Sequence, residues 1–238
     1  MHKRICLWWG PRNISTALMY SFAQRKDTQV YDEPLYAFYL KNSEAKFYHP
    51  GAEEIMANME SDGLKVIESM LGVHKKPVVF FKHMTHHLLN LPKAFMHKCS
   101  HVILTRDPID MLPSYAKQVS KPKMEDVGYR AHLELIEYFE SNLIDYVVVD
   151  SKKILLDPEN QLDLLCKSLE IPFSKDMLTW KKGSRSEDGV WAKFWYTSVH
   201  NSTGFQKYKP KASPFPSELN KLLKETQPIY EQLLKKSI

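Results

Sequence analysis

The sequence predicts an α/β fold of three layers, in which a central, mainly parallel sheet of five strands has helices on both faces. Short apolar runs alternate along the chain with segments whose apolar residues recur at helical spacing. Strands that alternate with helices are joined by crossover connections, and such strands run parallel. The length of 238 residues suits one domain over residues 1–238, because a chain of this size buries a sizeable core.

The five predicted strands are apolar runs that end in polar or turn-forming residues. They cover residues 3–9, 29–31, 78–82, 101–105 and 146–149. The second run leads into Asp32, Glu33 and Pro34, and the proline ends the strand. Ligands of parallel sheets bind beyond the carboxyl ends of the strands. Polar residues at those ends are therefore the candidates for a functional site.

The predicted helices follow the strands. They cover residues 15–25, 64–71, 129–142, 158–169 and 216–236. A further helix begins after the fourth strand, with Asp107 as its N-cap and Pro108 at its first position. The remaining segments show no clear period. Residues 41–63 are polar and irregular, 117–126 are charged, and 180–212 carry several tryptophans among charges.

Composition and charge narrow the class of protein. Hydrophobic residues make up 43% of the chain and aromatic residues 12%, which is typical of a globular protein. The net charge of +5 permits an anionic ligand but is too small and too dispersed to indicate a nucleic-acid partner. We find no signal peptide and no run of the roughly 20 apolar residues that span a bilayer. We therefore expect a cytoplasmic protein with no membrane partner.

The three cysteines agree with that location. Cys6, Cys99 and Cys166 are widely spaced, odd in number and embedded in apolar runs. They form neither a disulfide framework nor a zinc-binding spacing, which favours a reducing compartment. The oligomeric state cannot be read from the sequence.

The turn between the first strand and the first helix is the first candidate binding site. It consists of Gly10, Pro11, Arg12, Asn13, Ile14, Ser15 and Thr16. Such a turn points backbone N–H groups and the positive end of the helix dipole at one spot, which suits an anion. Arg12 adds a charge, and the two hydroxyls add donors. We expect a phosphate or sulfate group here; a plain helix cap with a surface arginine is the alternative.

This turn differs from the phosphate-binding loop of nucleotide hydrolases and kinases. That motif needs a second glycine and a Lys directly before a Ser or Thr. Here the basic residue lies two positions after Gly10, and both features are missing from their places. A kinase or nucleotide hydrolase therefore remains only an alternative function, and a noncatalytic anion-binding domain is another.

A second anion site is predicted after the fourth strand. Arg106 lies at the end of that strand, and Ser114 lies on the helix that follows it. The two side chains could close on one more phosphate. Taken alone, Asp107 and Pro108 mark no more than a good helix start.

Together, the stretches Trp9–Leu18 and Arg106–Tyr115 resemble the sulfotransferase family that uses 3′-phosphoadenosine-5′-phosphosulfate (PAPS). The first is similar to the family's 5′-phosphosulfate loop and the second to its 3′-phosphate motif. Asp157-Pro158 and the stretch 181–191 resemble two further family segments. The resemblance implies a P-loop-like fold, PAPS as co-substrate and no metal. It also implies transfer of a sulfuryl group to a hydroxyl or amine of a small-molecule acceptor by in-line displacement.

Two residues of the loop depart from the family pattern. Many members have Lys where this chain has Arg12, and Gly where it has Ile14. An arginine can still neutralise a bridging oxygen and reach two acceptors at once. Isoleucine has no easy access to positive φ, so the turn must differ in detail.

The resemblance also implies roles for single residues. Arg12, Ser15, Thr16 and the loop N–H groups would stabilise charge on the leaving phosphate oxygen. Lys182 and Arg185, on a Gly/Ser-rich loop, would cover the 3′-phosphate; a solvated loop is the alternative. The acceptor pocket is expected in the loops 36–62, 116–128 and 184–212, whose sequence does not disclose the acceptor.

A base must take the proton of the acceptor. The first candidate is His83, which follows Lys82 in the sequence, directly after the third strand. The other candidate is Glu33, after the second strand. His86 and His87 are further possibilities. As alternatives to these roles, the histidines could cap a helix or pack, and Asp32 and Glu33 could form salt bridges with Arg12.

The histidines offer little support for a metal site. His83 and His87 lie four residues apart, as zinc ligands on a helix do. Met84, however, stands where a zinc protease needs Glu. We therefore expect no metal.

Overall fold

The structure is a computed structural model of the chain, and it describes residues 2–210 and 213–238. Its strands form one parallel sheet in the order β2-β3-β1-β4-β5. They are β1 (Lys3–Trp9), β2 (Thr28–Asp32), β3 (Val78–Met84), β4 (Ser100–Thr105) and β5 (Tyr146–Asp150). The predicted α/β class with a five-stranded parallel sheet is confirmed.

The α-helices among the described residues connect the strands and pack on both faces of the sheet. They are α1 (Ser15–Ala23), α2 (Tyr36–Lys41), α3 (Ala52–Asn58), α4 (Gly63–Leu71), α5 (Pro108–Tyr115), α6 (Met124–Val127), α7 (Tyr129–Ser141), α8 (Ser151–Leu156), α9 (Pro158–Ser168), α10 (Ala192–Trp195), α11 (Thr197–His200) and α12 (Asn220–Lys235). None of the helices within residues 2–210 and 213–238 combines the length and apolar character that a membrane crossing needs.

Two predicted helix starts follow an Asp-Pro pair in the sequence, and the structure confirms both. The Asp107 side chain accepts from the N–H of Ile109, with Pro108 at the first position of α5. Asp157 caps α9 in the same way, through the N–H of Asn160. Because these signals are local, they can be read from the sequence.

Several predictions need correction. Residues 41–63 are not irregular, because they contain α3 and the start of α4. The sequence reading missed α8, which starts directly at the end of β5 with Asp150 as its N-cap. The third strand extends beyond residue 82 to Met84, where it still pairs with β1. In the predicted irregular region 180–212, α10 and α11 are short helices, and residues 211 and 212 lie outside the described residues.

The two faces of the sheet pack against different helices. Side chains alternate along each strand, so neighbours point to opposite faces. Leu7 and Phe80 lie on one face, in a core with the apolar residues of α1 and α9. Trp8 and Phe81 lie on the other, with the apolar residues of α4, α7 and α12. The ends of β1, β2 and β4, which carry the candidate site residues, lie at the carboxyl edge of the sheet between these layers.

A close backbone contact fixes the loop that follows β1. A Cβ atom added to Gly10 would lie 2.6 Å from the carbonyl oxygen of Val127. Gly128, the residue after Val127, has φ of +79°, and a Cβ added to it would lie 3.1 Å from the Cα of Gly10. Glycine is required at both positions, by space at the first and by backbone conformation at the second. The loop thus rests against the junction of α6 and α7.

We expect Gly10→Ala to lower the melting temperature of the protein. The added methyl must displace backbone, and overpacking of this kind costs about 1–3 kcal/mol. In a chain of this size that corresponds to a fall of roughly 2–12 °C. Thermal unfolding followed by circular dichroism measures it. An unchanged melting temperature would show that the loop does not rest on this contact.

Candidate functional site

The loop between β1 and α1 is held by its own side chains. Asn13 Nδ2 donates to the carbonyl oxygen of Leu104 at the end of β4, 3.2 Å away. Its Oδ1 accepts from the N–H of Ser15 at 3.1 Å. Arg12 takes the left-handed conformation, with φ of 56°, while Ile14 remains at φ of −88°. In this turn, Arg12 therefore adopts the positive φ, and Ile14, which does not easily adopt one, keeps a negative φ.

Two guanidinium groups lie beside the start of α1. Arg12 Nε donates to Ser114 Oγ at 3.1 Å, and Arg106 Nη1 donates to the carbonyl oxygen of Arg12 at 2.7 Å. Among the described residues, neither guanidinium forms an ion pair with a carboxylate. Burial, with repulsion by Arg106 added, lowers the pKa of Arg12 from its ordinary value. The N–H groups at the start of α1 add to this positive region.

A cavity of about 810 Å³ opens in front of these groups. Its volume lies in the range of small-molecule and cofactor sites. Residues 11–17, Arg106, Glu33 and His86 all contribute to its lining. Its aromatic wall residues are Trp9, Tyr36, Tyr39, Tyr48, Tyr115, Trp191, Trp195, Tyr196 and Phe205. The structure thus brings the predicted anion loop, Arg106 and Glu33 to one space.

Glu33 is a buried carboxylate at the cavity wall. Its side chain is 4% exposed, and its backbone has φ of 47°, a conformation that is strained for a residue other than glycine. Burial raises the pKa of Glu33 to about 7; Lys82 opposes this rise and Asp32 adds to it. Near neutral pH, Glu33 is therefore poised between its charged and neutral forms, as a general base must be.

Lys82 is the hydrogen-bonding partner of Glu33. This fully buried amine donates to Glu33 Oε1 and Asp32 Oδ1, each at 2.7 Å, and to the hydroxyl of Tyr196 at 2.6 Å. Burial alone would lower the pKa of Lys82, but the two carboxylates outweigh it and raise the pKa. The alternative that Asp32 and Glu33 pair with Arg12 is wrong, because their partner is Lys82.

Asp32 anchors a distant segment to the same network. The hydroxyl of Tyr196 donates to its carboxylate at 2.7 Å, and the N–H of Gly189 donates to Oδ2 at 3.2 Å. Trp191 Nε1 in turn donates to the Tyr196 oxygen at 3.1 Å. The segment that carries α10 is thereby fixed to the ends of β2 and β3.

The structure does not bring His83 to the cavity. The residue lies inside β3, and strand alternation points it to the face opposite Lys82. Its ring stacks on Trp8 at a centroid distance of 4.8 Å and is fully buried. Burial, with small contributions from His101 and Lys82, lowers the pKa of His83 to about 3. The expectation of His83 as base is therefore corrected: the strand is longer than predicted, and its register turns this side chain into the core.

The two following histidines lie nearer to Glu33. His87 stacks between Tyr36 and Tyr39 at 4.8 and 4.5 Å, with its Nδ1 3.9 Å from Glu33 Oε2. His86 lines the cavity. Burial, followed by repulsion from His49, lowers the pKa of His86 to about 4, so its ring is neutral at pH 7. These rings form a packed wall beside Glu33.

Lys182 and Arg185 are also absent from the cavity lining. Lys182 is exposed, and Arg185 stacks over the ring of Tyr20 at 5.0 Å and pairs with Glu187 at 3.6 Å. The segment that reaches the cavity lies further along the chain. Its lining residues are Ser198, Val199, Ser202, Gly204, Phe205 and Gln206. The expectation that Lys182 and Arg185 cover a bound phosphate is not supported by their positions.

Sequence reasoning missed Lys82 as the partner of Glu33 and Tyr196 as a partner of Lys82 and Asp32, whereas the lining segment 198–206 lies within the predicted pocket loop 184–212. A lysine at the end of an apolar strand is an available signal, because a buried lysine requires an acidic partner. No local pattern identifies Tyr196. Among residues 2–210 and 213–238, no group of three or more His, Cys, Asp or Glu side chains could hold a metal ion.

A family model and two curated relatives match almost the whole chain. A family model described as a sulfotransferase domain matches residues 3–237. Two proteins of Arabidopsis thaliana, branched-chain-amino-acid aminotransferase-like proteins 1 and 2, are 42% and 39% identical over 232 residues. That alignment covers 95% of this chain but only 40% of each relative. The chain therefore spans less than half the length of these relatives.

Solved structures of low sequence identity share the fold. The sulfotransferase domain of the Synechococcus PCC 7002 olefin synthase superposes with a TM-score of 0.61 at 13% identity, over 94% of this chain and 95% of that one. The domain from the curacin biosynthetic pathway gives 0.58 at 15% identity, over 98% of both chains. A sulfotransferase from Alicyclobacillus acidocaldarius gives 0.58 at 12% identity, over 100% and 98%.

Proposed function

The chain belongs to the sulfotransferase domain family, and from that membership we propose that it transfers a sulfuryl group from PAPS to a hydroxyl or amine of a small-molecule acceptor. The carrying observation is the pair of guanidinium groups, Arg12 and Arg106, that face the cavity without a carboxylate partner among the described residues. Two uncompensated cations beside a helix N-terminus favour a ligand with two anionic groups. A buried carboxylate, Glu33, faces the same cavity and supplies a base.

The residues at the cavity fit PAPS. The loop N–H groups, Arg12, Ser15 and Thr16 would hold the 5′-phosphosulfate, because they surround the start of α1. Arg106 would hold the 3′-phosphate; Ser114, which is absent from the cavity lining, would act beside it by positioning Arg12. The cavity of about 810 Å³ has room for a nucleotide and an acceptor side by side.

The chemistry is a displacement at sulfur. When bound, PAPS would supply a sulfuryl group whose bond to the 5′-phosphate oxygen breaks as a bond to the acceptor forms, leaving a 3′,5′-bisphosphate nucleotide. Arg12 and the loop N–H groups stabilise the negative charge that develops on the departing oxygen. The Glu33 carboxylate accepts the acceptor's proton, and Lys82 keeps that carboxylate oriented. Sulfuryl transfer moves a less charged group than phosphoryl transfer, and Arg12 with the loop N–H groups is the proposed source of charge neutralisation at the departing oxygen.

Replacement of Arg106 tests the nucleotide site. We expect Arg106→Ala to weaken binding of the 3′,5′-bisphosphate nucleotide by about tenfold to a hundredfold, because it removes a charge-assisted contact. Isothermal titration calorimetry measures the affinity, and Arg130→Ala, at an exposed position of α7, is the matched control. Absence of binding by the unmodified protein at micromolar nucleotide, or tighter binding of ATP with magnesium-dependent turnover, would contradict the proposed function.

The proposal also covers the location, the domain organisation and the partner of the protein. We propose a cytoplasmic protein, a single domain over this chain, and a small molecule as partner rather than nucleic acid or membrane. The modest net charge of +5 supports the exclusion of nucleic acid.

A further inference from the structure

The cavity lining carries charges of both signs. Arg12 and Arg106 come from the loop after β1 and from the end of β4. The lining residues of segments 33–50, 86–89 and 115–126 are here called the acceptor half. Among its described lining residues there is no Lys or Arg, whereas Glu33, Glu125 and Asp126 are carboxylates. Lys82 pairs with Glu33, whereas neither Glu125 nor Asp126 forms an ion pair within the described residues, so the charges of these two carboxylates are available to an acceptor.

Aromatic rings form the wall of the acceptor half. The hydroxyl of Tyr36 lies 2.6 Å from His49 Nδ1, and the ring of Tyr48 lies 5.4 Å from that of His49. Tyr39 meets the ring of His86 at 5.0 Å. Burial lowers the pKa of both histidines, so at neutral pH they add no positive charge. The wall therefore offers aromatic ring surfaces and neutral rings.

The carboxylate of Asp126 lies among these tyrosines. Burial raises the pKa of Tyr39 to about 12, with Tyr48 and Asp126 adding to the rise. Burial likewise raises the pKa of Tyr115, and Asp126 is the largest electrostatic contributor. Asp126 Oδ2 accepts from the N–H of Lys123 at 2.8 Å, which holds the carboxylate at the start of α6. Rings and carboxylate occupy one region of the cavity.

We propose that the acceptor is a hydroxyl compound that also carries an ammonium group, and this proposal rests on the proposed function. A cation is attracted both by a carboxylate and by the faces of aromatic rings. A protonated amine has no free electron pair, so the hydroxyl oxygen of such a molecule attacks sulfur while its proton passes to Glu33. Molecules that carry a carboxylate or phosphate are repelled by the same surface.

Three phenols that differ in one substituent test the inference. Tyramine carries an ammonium group, 4-ethylphenol is neutral, and 3-(4-hydroxyphenyl)propionate carries a carboxylate. We expect tyramine to bind at least about tenfold more tightly than 4-ethylphenol, with the carboxylate compound weakest. Ligand-detected NMR titration without nucleotide measures binding, and single-turnover assays with PAPS measure transfer. Equal or tighter binding of 4-ethylphenol would overturn the inference.

Two variants locate the charge that selects the cation. Asp126→Asn should reduce the preference for tyramine about threefold to tenfold while binding of 4-ethylphenol stays unchanged. Glu125→Gln should act in the same direction and does not involve the cap of α6. Glu137→Gln, exposed on α7, is the control. An unchanged preference in both variants would contradict the role of these carboxylates. Calorimetry with the bisphosphate nucleotide tests the proposed function separately, because it does not use the acceptor half.

Discussion

Replacement of Glu33 by glutamine should lower kcat by about 10²–10⁴-fold, the contribution typical of a positioned general base. The amide would keep the shape of the side chain and a hydrogen-bonding oxygen for Lys82, but it could not take up the acceptor's proton. Affinity for the bisphosphate nucleotide should stay within a few-fold of the unmodified protein, since the partner of Glu33 is Lys82, whereas Arg12 and Arg106 are held by Ser114 and the loop backbone. Steady-state assays with PAPS and a phenolic acceptor measure the loss.

The pH profile provides a second readout of the same residue. Because burial raises the pKa of Glu33 to about 7, the carboxylate is lost as the pH falls through that value. We therefore expect kcat/KM to rise with pH along a limb centred near 7, and that limb should be missing in Glu33→Gln. Glu137→Gln is the matched control for the amide substitution. A residual activity above a tenth, with the limb retained, would assign the base to another group.

Replacement of Lys82 by methionine should destabilise the protein by about 3–5 kcal/mol, the cost of leaving a buried charge without its partner. Asp32 and Glu33 would remain buried and close to one another after the amine is removed. Their mutual repulsion and burial would favour the neutral forms. For a chain of this size the melting temperature should fall by roughly 6–20 °C.

The sign of the pH dependence identifies the cause of that loss. Lys82 opposes the rise of the Glu33 pKa, so without Lys82 that pKa is raised further in the folded state; protonation of Glu33 at low pH then stabilises the fold, and this stability is lost as the pH rises. The difference in stability between Lys82→Met and the unmodified protein should thus be smaller at pH 5 than at pH 8. Lys65→Met, exposed on α4, is the control for removal of a lysine. A difference that is independent of pH would indicate lost packing alone.

The parts of the fold that the sequence predicted correctly are those with local signals. The strands are short apolar runs, and α5 and α9 begin at an Asp-Pro pair that caps the helix within one turn. The loop at residues 10–16 and Arg106 come together because the strands β1 and β4 are adjacent and parallel. Such a juxtaposition follows from the fold class, so it can be inferred from the sequence.

The parts that failed depend on register and on distant contacts. The apolar run predicts a strand that ends before His83, but a strand that is two residues longer turns this side chain into the core, since the side-chain period is two. The partner of Lys82 in segment 180–212 is Tyr196, 114 positions away. No periodicity links residues so far apart. The predicted role of Lys182 and Arg185 depends on the similarity of a short stretch, which does not determine where a loop runs.

The central position of β1 has a consequence for synthesis of the chain. Of the five strands, β1 is synthesised before the others, yet its sheet neighbours are β3 and β4, which begin at residues 78 and 100. At ribosomal rates of about 5–20 residues per second, this apolar strand waits roughly 4–15 s for its first neighbour. During that interval, the unpaired backbone groups and the apolar side chains of β1 are exposed to other chains and to chaperones. The nascent protein should therefore depend more on chaperone capture than a protein whose first strands form a hairpin.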